Sequence, residues 1–254
     1  MTRERVGLLK EAIACYLDQT YPRRELVIVA AGSAWSRRAV ADHLEALGRD
    51  DLRLVEIDDP EATLGAMRNA SLEAARGEVV CQWDDDDLYH PQRLELQLAA
   101  MQAAGAGACF LTDHLQFDAP AREMYWVDWA SFREHGPGHE LLPGSMMARR
   151  DACPRYPETG EDARWGEDNA FRKRLLETVE VAPLAGHGCL YLYRFHGRNV
   201  WGRDHHRRLS ARAAGARFLR RHEPVLRRAL SAYRLPLPYA VKTGIGELAM
   251  VVRA

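Results

Sequence analysis

Gly77-Glu-Val-Val-Cys-Gln-Trp-Asp-Asp-Asp-Asp-Leu-Tyr-His-Pro-Gln-Arg93 places a strand pattern, an acidic cluster and a helix start end to end. The apolar run from Val79 to Trp83 has the length and β-branching of a buried strand. It stops at four consecutive aspartates, Asp84 to Asp87, and Pro91 then stands where a helix can begin. Leu94, Leu96, Gln97, Leu98 and Met101 continue with helical spacing. Four carboxylates at one strand end repel each other unless a counter-charge is present, and a divalent cation is the sharpest remedy. Hard oxygen ligands suit Mg²⁺ or Mn²⁺. Ligands of open α/β sheets bind at the carboxyl ends of strands, so a metal here would hold the phosphates of a nucleotide. The plain alternative is a solvated acidic turn. A calcium-loop reading lacks the alternating ligands and central glycine that such a loop needs.

Outward from this stretch, the chain alternates strand and helix. Val6 to Leu17 is amphipathic and reads as a helix, closed by Gln19-Thr-Tyr-Pro22. Glu25 to Ala31 reads as a buried strand, with Gly32-Ser33 and a helix over Arg37 to Leu47 after it. Leu52 to Ile57 is the next strand, and Leu64 to Arg76 the next helix. This order implies an α/β fold with a mixed, mostly parallel central sheet flanked by helices. The 254 residues suffice for one large domain or a domain with an appendage. With 47% hydrophobic and 28% charged residues the composition is that of a globular protein, and a net charge of −1 points to no nucleic-acid partner. No apolar run approaches a membrane span, and Met-Thr-Arg-Glu-Arg5 is not a secretory leader, so a cytoplasmic setting is expected. Cys15, Cys81, Cys109, Cys153 and Cys189 form no Cys-x-x-Cys pair and read as reduced structural thiols.

Several motifs in this order carry a resemblance. Gln-Thr-Tyr-Pro before Glu-Leu-Val-Ile-Val, then Gly65-x-x-Arg68-Asn69, Ala75-Arg-Gly-Glu and Trp-Asp-Asp-Asp-Asp resemble the first half of a family 2 glycosyltransferase. In the second half, Leu142-Pro-Gly-Ser-Met-Met-Ala-Arg149 resembles the segment beside donor sugar and acceptor. Trp165-Gly-Glu-Asp-Asn-Ala-Phe171 resembles the Glu-Asp motif at a helix start, and His196-Gly-Arg-Asn-Val-Trp201 the late His-containing loop. The resemblance implies a GT-A fold, a Rossmann-like nucleotide-diphospho-sugar transferase domain over residues 1–202. Its donor half would span about 1–105 and its acceptor half about 106–202, with a basic helical appendage over 203–254.

The resemblance implies metal-dependent, inverting transfer from a nucleotide-diphosphate sugar, UDP-sugar favoured, to a hydroxyl of a glycan or lipid-linked acceptor. A glycosyltransferase-like binding protein without catalysis and a sugar nucleotidyltransferase are the alternatives. Carried over residue by residue, Asp168 would be the general base, with Glu167 second. Thr2, Arg3, Arg68, Asp84 and Asp85 would contact the donor, and Gly144, Ser145 and Trp165 the acceptor. Asp86 and His196 would ligate Mn²⁺ or Mg²⁺, His196 alternatively touching the diphosphate; Asp85 and Asp87 stay open as metal ligands because the register of four identical residues is ambiguous. His205 and His206 are adjacent and read as surface residues. The arginines from Arg203 to Arg228 form either a solvated helix or a basic face that approaches an anionic membrane.

Two departures from the family stand out. Met1-Thr-Arg-Glu-Arg5 resembles the nucleotide-touching turn that normally follows a first strand, and that strand is missing; about ten upstream residues are expected in the natural protein. Ala30-Ala31-Gly32-Ser33 stands where the family usually has an aspartate before Gly-Ser, which bears on nucleotide recognition.

Overall fold

The computed structural model describes residues 1–59 and 61–253. In chain order the elements are α1 (Val6–Leu17), β1 (Leu26–Ala30), α2 (Ala34–Leu47), β2 (Leu52–Glu56), α3 (Leu64–Ala74), β3 (Val79–Cys81), β4 (Leu88–Tyr89) and α4 (Arg93–Ala103). They continue with β5 (Ala108–Leu111), β6 (Asp113–Asp118), β7 (Glu123–Asp128), β8 (Met147–Arg149), α5 (Glu167–Leu176), β9 (Val181–Leu184) and β10 (Tyr191–Phe195). The last are α6 (Arg203–Ser210), α7 (Ala216–Leu230), β11 (Tyr239–Lys242) and β12 (Leu248–Val252). Two compact units share them, and the chain crosses from one to the other between Asp86 and Asp87.

The first unit holds residues 1–86, 94–110 and 143–182. Here β1 and β2 pair in parallel, Leu26 opposite Leu52 through Ala30 opposite Glu56. The four-stranded sheet runs β3-β8-β5-β9, with β8 antiparallel to both β3 and β5. Helix starts follow local chemistry. Ser33 accepts a hydrogen bond from the Ser36 N–H at 3.2 Å to cap α2, and Thr63 does the same for Ala66 at α3. Gly48, at φ +59°, closes α2 in the left-handed conformation that glycine adopts without strain. The apolar face of α1 (Leu9, Ile13, Tyr16) packs on Leu26, Ile28 and Val40. Its apolar periodicity thereby turns into burial, which drives folding.

The second unit holds residues 87–93, 111–142 and 183–254. Its six-stranded sheet runs β12-β11-β7-β6-β10-β4. Pairing is mixed: β10 lies parallel to β6 and β11 parallel to β7, while β6–β7, β10–β4 and β11–β12 are antiparallel. The tail therefore differs from the appendage expected for residues 203–254. After α7 it returns as two strands that extend the sheet, and Gly244 turns there so closely that a Cβ would lie 2.6 Å from the Ala211 carbonyl oxygen. His206 is a second correction. It is buried, not at the surface, between the rings of Tyr193 and Phe195. His114 is buried as well, and its Nδ1 accepts from the Trp129 indole N–H at 2.8 Å. Burial pushes its imidazole down to about 3, so it remains neutral at physiological pH.

Candidate active site

The four aspartates have separate duties. Asp84 accepts from the Arg68 guanidinium at 3.1 Å and from the Gln82 amide at 2.9 Å. Asp85 and Asp86 are both held by Arg5, whose Nη2 lies 2.6 Å from Asp85 and whose Nη1 bonds Asp86. Asp87 belongs to the second unit. It is buried and accepts from the Tyr191 hydroxyl and from the Arg194 backbone N–H, which makes it a structural residue. The counter-charge that the sequence seemed to require of a metal is thus supplied, within the first unit, by Arg5 and Arg68. Charge is still poorly tolerated at Asp85. Burial and the neighbouring Asp86 push its carboxyl up to about 6, against the opposing pull of Arg5, the chain's amino terminus and the Thr2 hydroxyl.

Gly65-x-x-Arg68-Asn69 is explained by what each residue touches. A Cβ at Gly65 would fall 1.7 Å from the Pro157 carbonyl oxygen, so only glycine lets α3 approach that segment. Asn69 clamps the same segment from both sides, donating to the Tyr156 carbonyl at 3.0 Å and accepting from the Tyr156 N–H at 2.9 Å. Arg68, between them, reaches across to Glu167 with its Nε at 2.7 Å while its Nη1 holds Asp84. Its guanidinium also lies over the Tyr156 ring, 5.6 Å from the centroid, and Tyr156 in turn stacks on Phe171 of α5. Arg68 therefore binds the acidic cluster to the first turn of α5.

Gly166, at φ +83°, makes the turn that starts α5 and puts Glu167 and Asp168 in its first turn. Glu167 is 3% exposed and committed to Arg68. Asp168 is half-buried, and one of its oxygens accepts from the Asn169 N–H at 2.8 Å. Burial, and then the neighbouring Glu167, push its carboxyl up to about 6, although Arg68 pulls the other way. A carboxylate of that pKa is suited to accepting a proton near neutral pH.

The remaining expected contacts are placed as follows. Thr2 is buried and bridges onto β1, donating to the Val29 carbonyl at 2.8 Å and accepting from Ala31 N–H at 2.9 Å. Arg3 donates to the Ala62 carbonyl. Gly144 and Ser145 form a buried 3-10 turn, and the Ser145 carbonyl accepts from the Gln97 amide at 2.8 Å. Trp165 is 52% exposed, a large apolar surface left in solvent one residue before the Gly166 turn. His196 lies in the second unit, where its N–H donates to Asn199 at 2.9 Å and its Nδ1 accepts from the Arg198 N–H at 3.3 Å. Two residues were missed by sequence reasoning. Arg5 is one; its position in the short turn ahead of α1 was visible, its partners were not. Glu4 is the other. Its carboxylate accepts from the Ser33 N–H at 2.7 Å and so stands beside Gly32-Ser33, where an aspartate was missing.

The aspartate oxygens are hard donors of the kind Mg²⁺ and Mn²⁺ accept. Such ions often take only one or two carboxylates and complete their shell with phosphate and water. The donor set fits that mode. Among the described residues, no three His, Cys, Asp or Glu side chains form a cage of their own.

Comparison with known proteins shows the family and the fold. A sequence model described as glycosyl transferase family 2 matches residues 2–153. The chain is 38% identical over 81 residues to EpsH and 31% identical over 94 residues to EpsE, both from Bacillus subtilis (strain 168) and both carrying the word glycosyltransferase in their names. These matches take up 32% and 37% of this chain but only 23% of EpsH and 34% of EpsE. Among solved structures, S. aureus TarS 1-349 in complex with UDP superposes with a TM-score of 0.61 at 15% identity, over 93% of this chain and 74% of that one. The mannosyltransferase PcManGT from Pyrobaculum calidifontis, in complex with GDP-Man and Mn²⁺, superposes with a TM-score of 0.56 at 17% identity, over 92% and 64% of the two chains. At such identities the likeness is one of fold, and the fold is GT-A.

Proposed function

Because this chain belongs to glycosyl transferase family 2, we propose that it moves a sugar from a nucleotide-diphosphate donor to an acceptor hydroxyl, with inversion at the anomeric carbon. The observation that carries the reading is Asp168. It is a carboxyl raised to about 6 at a helix start, in one electrostatic network with Glu167, Arg68 and Asp84. In the proposed reaction Asp168 takes the acceptor's hydroxyl proton. The acceptor oxygen then bonds to the anomeric carbon as the bond from that carbon to the diphosphate oxygen breaks, and the nucleoside diphosphate leaves. One base serves this, since no covalent sugar–enzyme intermediate is formed.

Thr2, Arg3, Asp84 and Asp85 are proposed for the donor's nucleoside side, with Arg68 setting the position of Asp84. Asp86 is proposed to hold Mg²⁺ or Mn²⁺, and His196 is carried as a metal or diphosphate contact on the family resemblance. A bound divalent ion would neutralise charge developing on the leaving diphosphate. Arg5 must share or yield the Asp86 carboxylate for that ion to bind. Trp165, exposed beside α5, is proposed as a platform for an acceptor sugar ring, with Gly144 and Ser145 shaping the backbone below the acceptor.

UDP-sugars are the favoured donors, and solved structures of like fold carry UDP in one case and GDP-Man in another. Thermal melts with UDP-, GDP- and dTDP-sugars, each with Mn²⁺ and with EDTA, test the donor site. A ligand at about a hundred times its Kd stabilises by about 2.7 kcal/mol, and one nucleotide should give that shift only with the metal. A folded sample that melts identically in all of them would leave a glycosyltransferase-like protein without catalysis.

The acceptor is proposed to be a glycan or lipid-linked glycan, and the basic helices to contact an anionic membrane surface. No described helix is long and apolar enough to cross a membrane. α7 carries Arg217, Arg220, Arg221, Arg227 and Arg228 together with an exposed Val225, a composition suited to a headgroup layer. Vesicles containing phosphatidylserine should co-sediment with the protein at low salt while neutral vesicles do not; equal recovery with both removes the membrane contact.

A further inference from the structure

The six-stranded sheet of the second unit ends in β12, which among the described residues pairs only with β11. Its sequence, Leu-Ala-Met-Val-Val, carries neither charge nor proline, the usual devices that keep an edge strand from pairing further. Apolar surface continues past the strand. Leu248 is 56% exposed, and Ile245, at the tip of the hairpin from β11, is 90% exposed. Two hydrogen bonds fix that tip. The Glu247 N–H donates to the Thr243 hydroxyl at 3.0 Å, and the Thr243 N–H donates to the Glu247 carbonyl at 2.9 Å.

The backbone of β12 is turned outward as well. Ala240 N–H donates to the Arg122 carbonyl, ahead of β7, at 3.0 Å. Alternation then turns Tyr239 and Val241 toward β12, where they stand opposite Val252 and Met250. Val251, between those two, therefore points its N–H and C=O away from β11. The register shifts at the Lys242 end, so the regular part of the edge is Met250 to Val252. Charge sits only at the two ends, with Glu247 before the strand and Arg253 after it, both exposed. An antiparallel strand of the same sequence brings each Glu247 to the Arg253 end of the other copy. A parallel one would set like charges together.

We propose that β12 is a self-association edge, whose occupant is β12 of a second copy of this chain. The two strands pair antiparallel about a two-fold axis at Met250. Val251 then exchanges backbone hydrogen bonds with Ala249 across the axis, and Leu248 lies toward Val252. Twelve strands, six from each copy, become one continuous sheet. The contact is isologous, so it uses the same edge on both copies and closes at two. Because α7 packs on β12 and the axis stands perpendicular to the sheet, both copies of α7 come to one face. Pairing of one short strand buries less than a standard interface, and a dissociation constant of about micromolar order is expected.

Sedimentation velocity of the full chain from about 1 to 100 µM should show monomer passing to dimer, with no larger species. Val251→Pro removes the outward N–H and costs no bond to β11. The fold should hold, and the dimer should vanish over the same range. Glu247→Arg alone should weaken the dimer about tenfold or more, and so should Arg253→Glu alone, since each sets like charges at both ends of the pair. Combined, they restore opposite charges and should return the dissociation constant to within about threefold of the parent. A chain that stays monomeric throughout overturns the proposal, as does a dimer that survives Val251→Pro or a series that grows past two. Should Val251→Pro fail to fold, a double charge variant that does not regain the dimer overturns it alone. None of these readouts uses donor, acceptor or vesicle, so failure here is separate from failure of the transfer reading.

Discussion

Asp168→Asn is expected to reduce sugar transfer by about 10²–10⁴-fold, the usual contribution of a positioned general base. The amide is nearly isosteric and can still accept from Asn169, so the first turn of α5 should keep its shape. Donor-induced thermal shifts should remain within error of the parent chain. The pH profile gives the same residue a second test. Its carboxyl is raised to about 6 by burial and by Glu167, and a base must be deprotonated to work. The rate should therefore rise with pH through about 6 and level off above it, and a profile flat from pH 5 to 8 would assign the proton transfer to another group. Retained turnover in the asparagine variant removes Asp168 as base outright.

Arg68→Met should cost stability on the scale of breaking a buried ion pair, about 3–5 kcal/mol, because it takes the guanidinium from buried Glu167 and leaves Asp84 without that charged partner. Arg68 and Glu167 are 12% and 4% exposed at their side chains, and Asp84 is 19% exposed. Methionine keeps much of the volume against Tyr156 and removes only the charge. For a protein of this size, each 1 kcal/mol is worth roughly 2–4 °C in Tm. Adding Glu167→Gln to Arg68→Met should recover part of the loss, since one stranded charge is then neutral. A single variant that melts like the parent, or a double variant that melts lower than the single, would show that the guanidinium does not bind the acidic cluster to α5.

The local patterns were legible, and the reason is visible in the structure. The helix read over Val6 to Leu17 is α1 to the residue, because its apolar spacing is what packs on Leu26 and Ile28. Ser33 and Thr63 begin α2 and α3 as caps that a sequence can display. The strand read over Val79 to Trp83 is shorter as a ladder, ending at Cys81, with Trp83 turned to donate from its indole to the Ala12 carbonyl. What could not be read depends on distant partners. The two-residue β4 exists because Tyr89 lies opposite Tyr191, about a hundred positions along the chain. Likewise β11 has only four residues of its own and lies between β12 and the distant β7. The acidic run stands out in the sequence as a candidate site, yet nothing within it tells Asp84 from Asp87. Arg5, Arg68 and Tyr191 do that from far away. The same holds for His206, whose polar neighbours on α6 suggest a surface and whose burial comes from β10.

The division of labour along Asp84–Asp87 has a genetic corollary. Removing any one of the four codons yields one and the same polypeptide, so four distinct deletion alleles collapse into a single phenotype. An aligner places that gap arbitrarily, and no score can correct it. The molecule faces a real choice, because three carboxylates must then serve Arg68, Arg5 and the Tyr191–Arg194 pair. Which of these is abandoned is settled by folding, and it is not written in the gene.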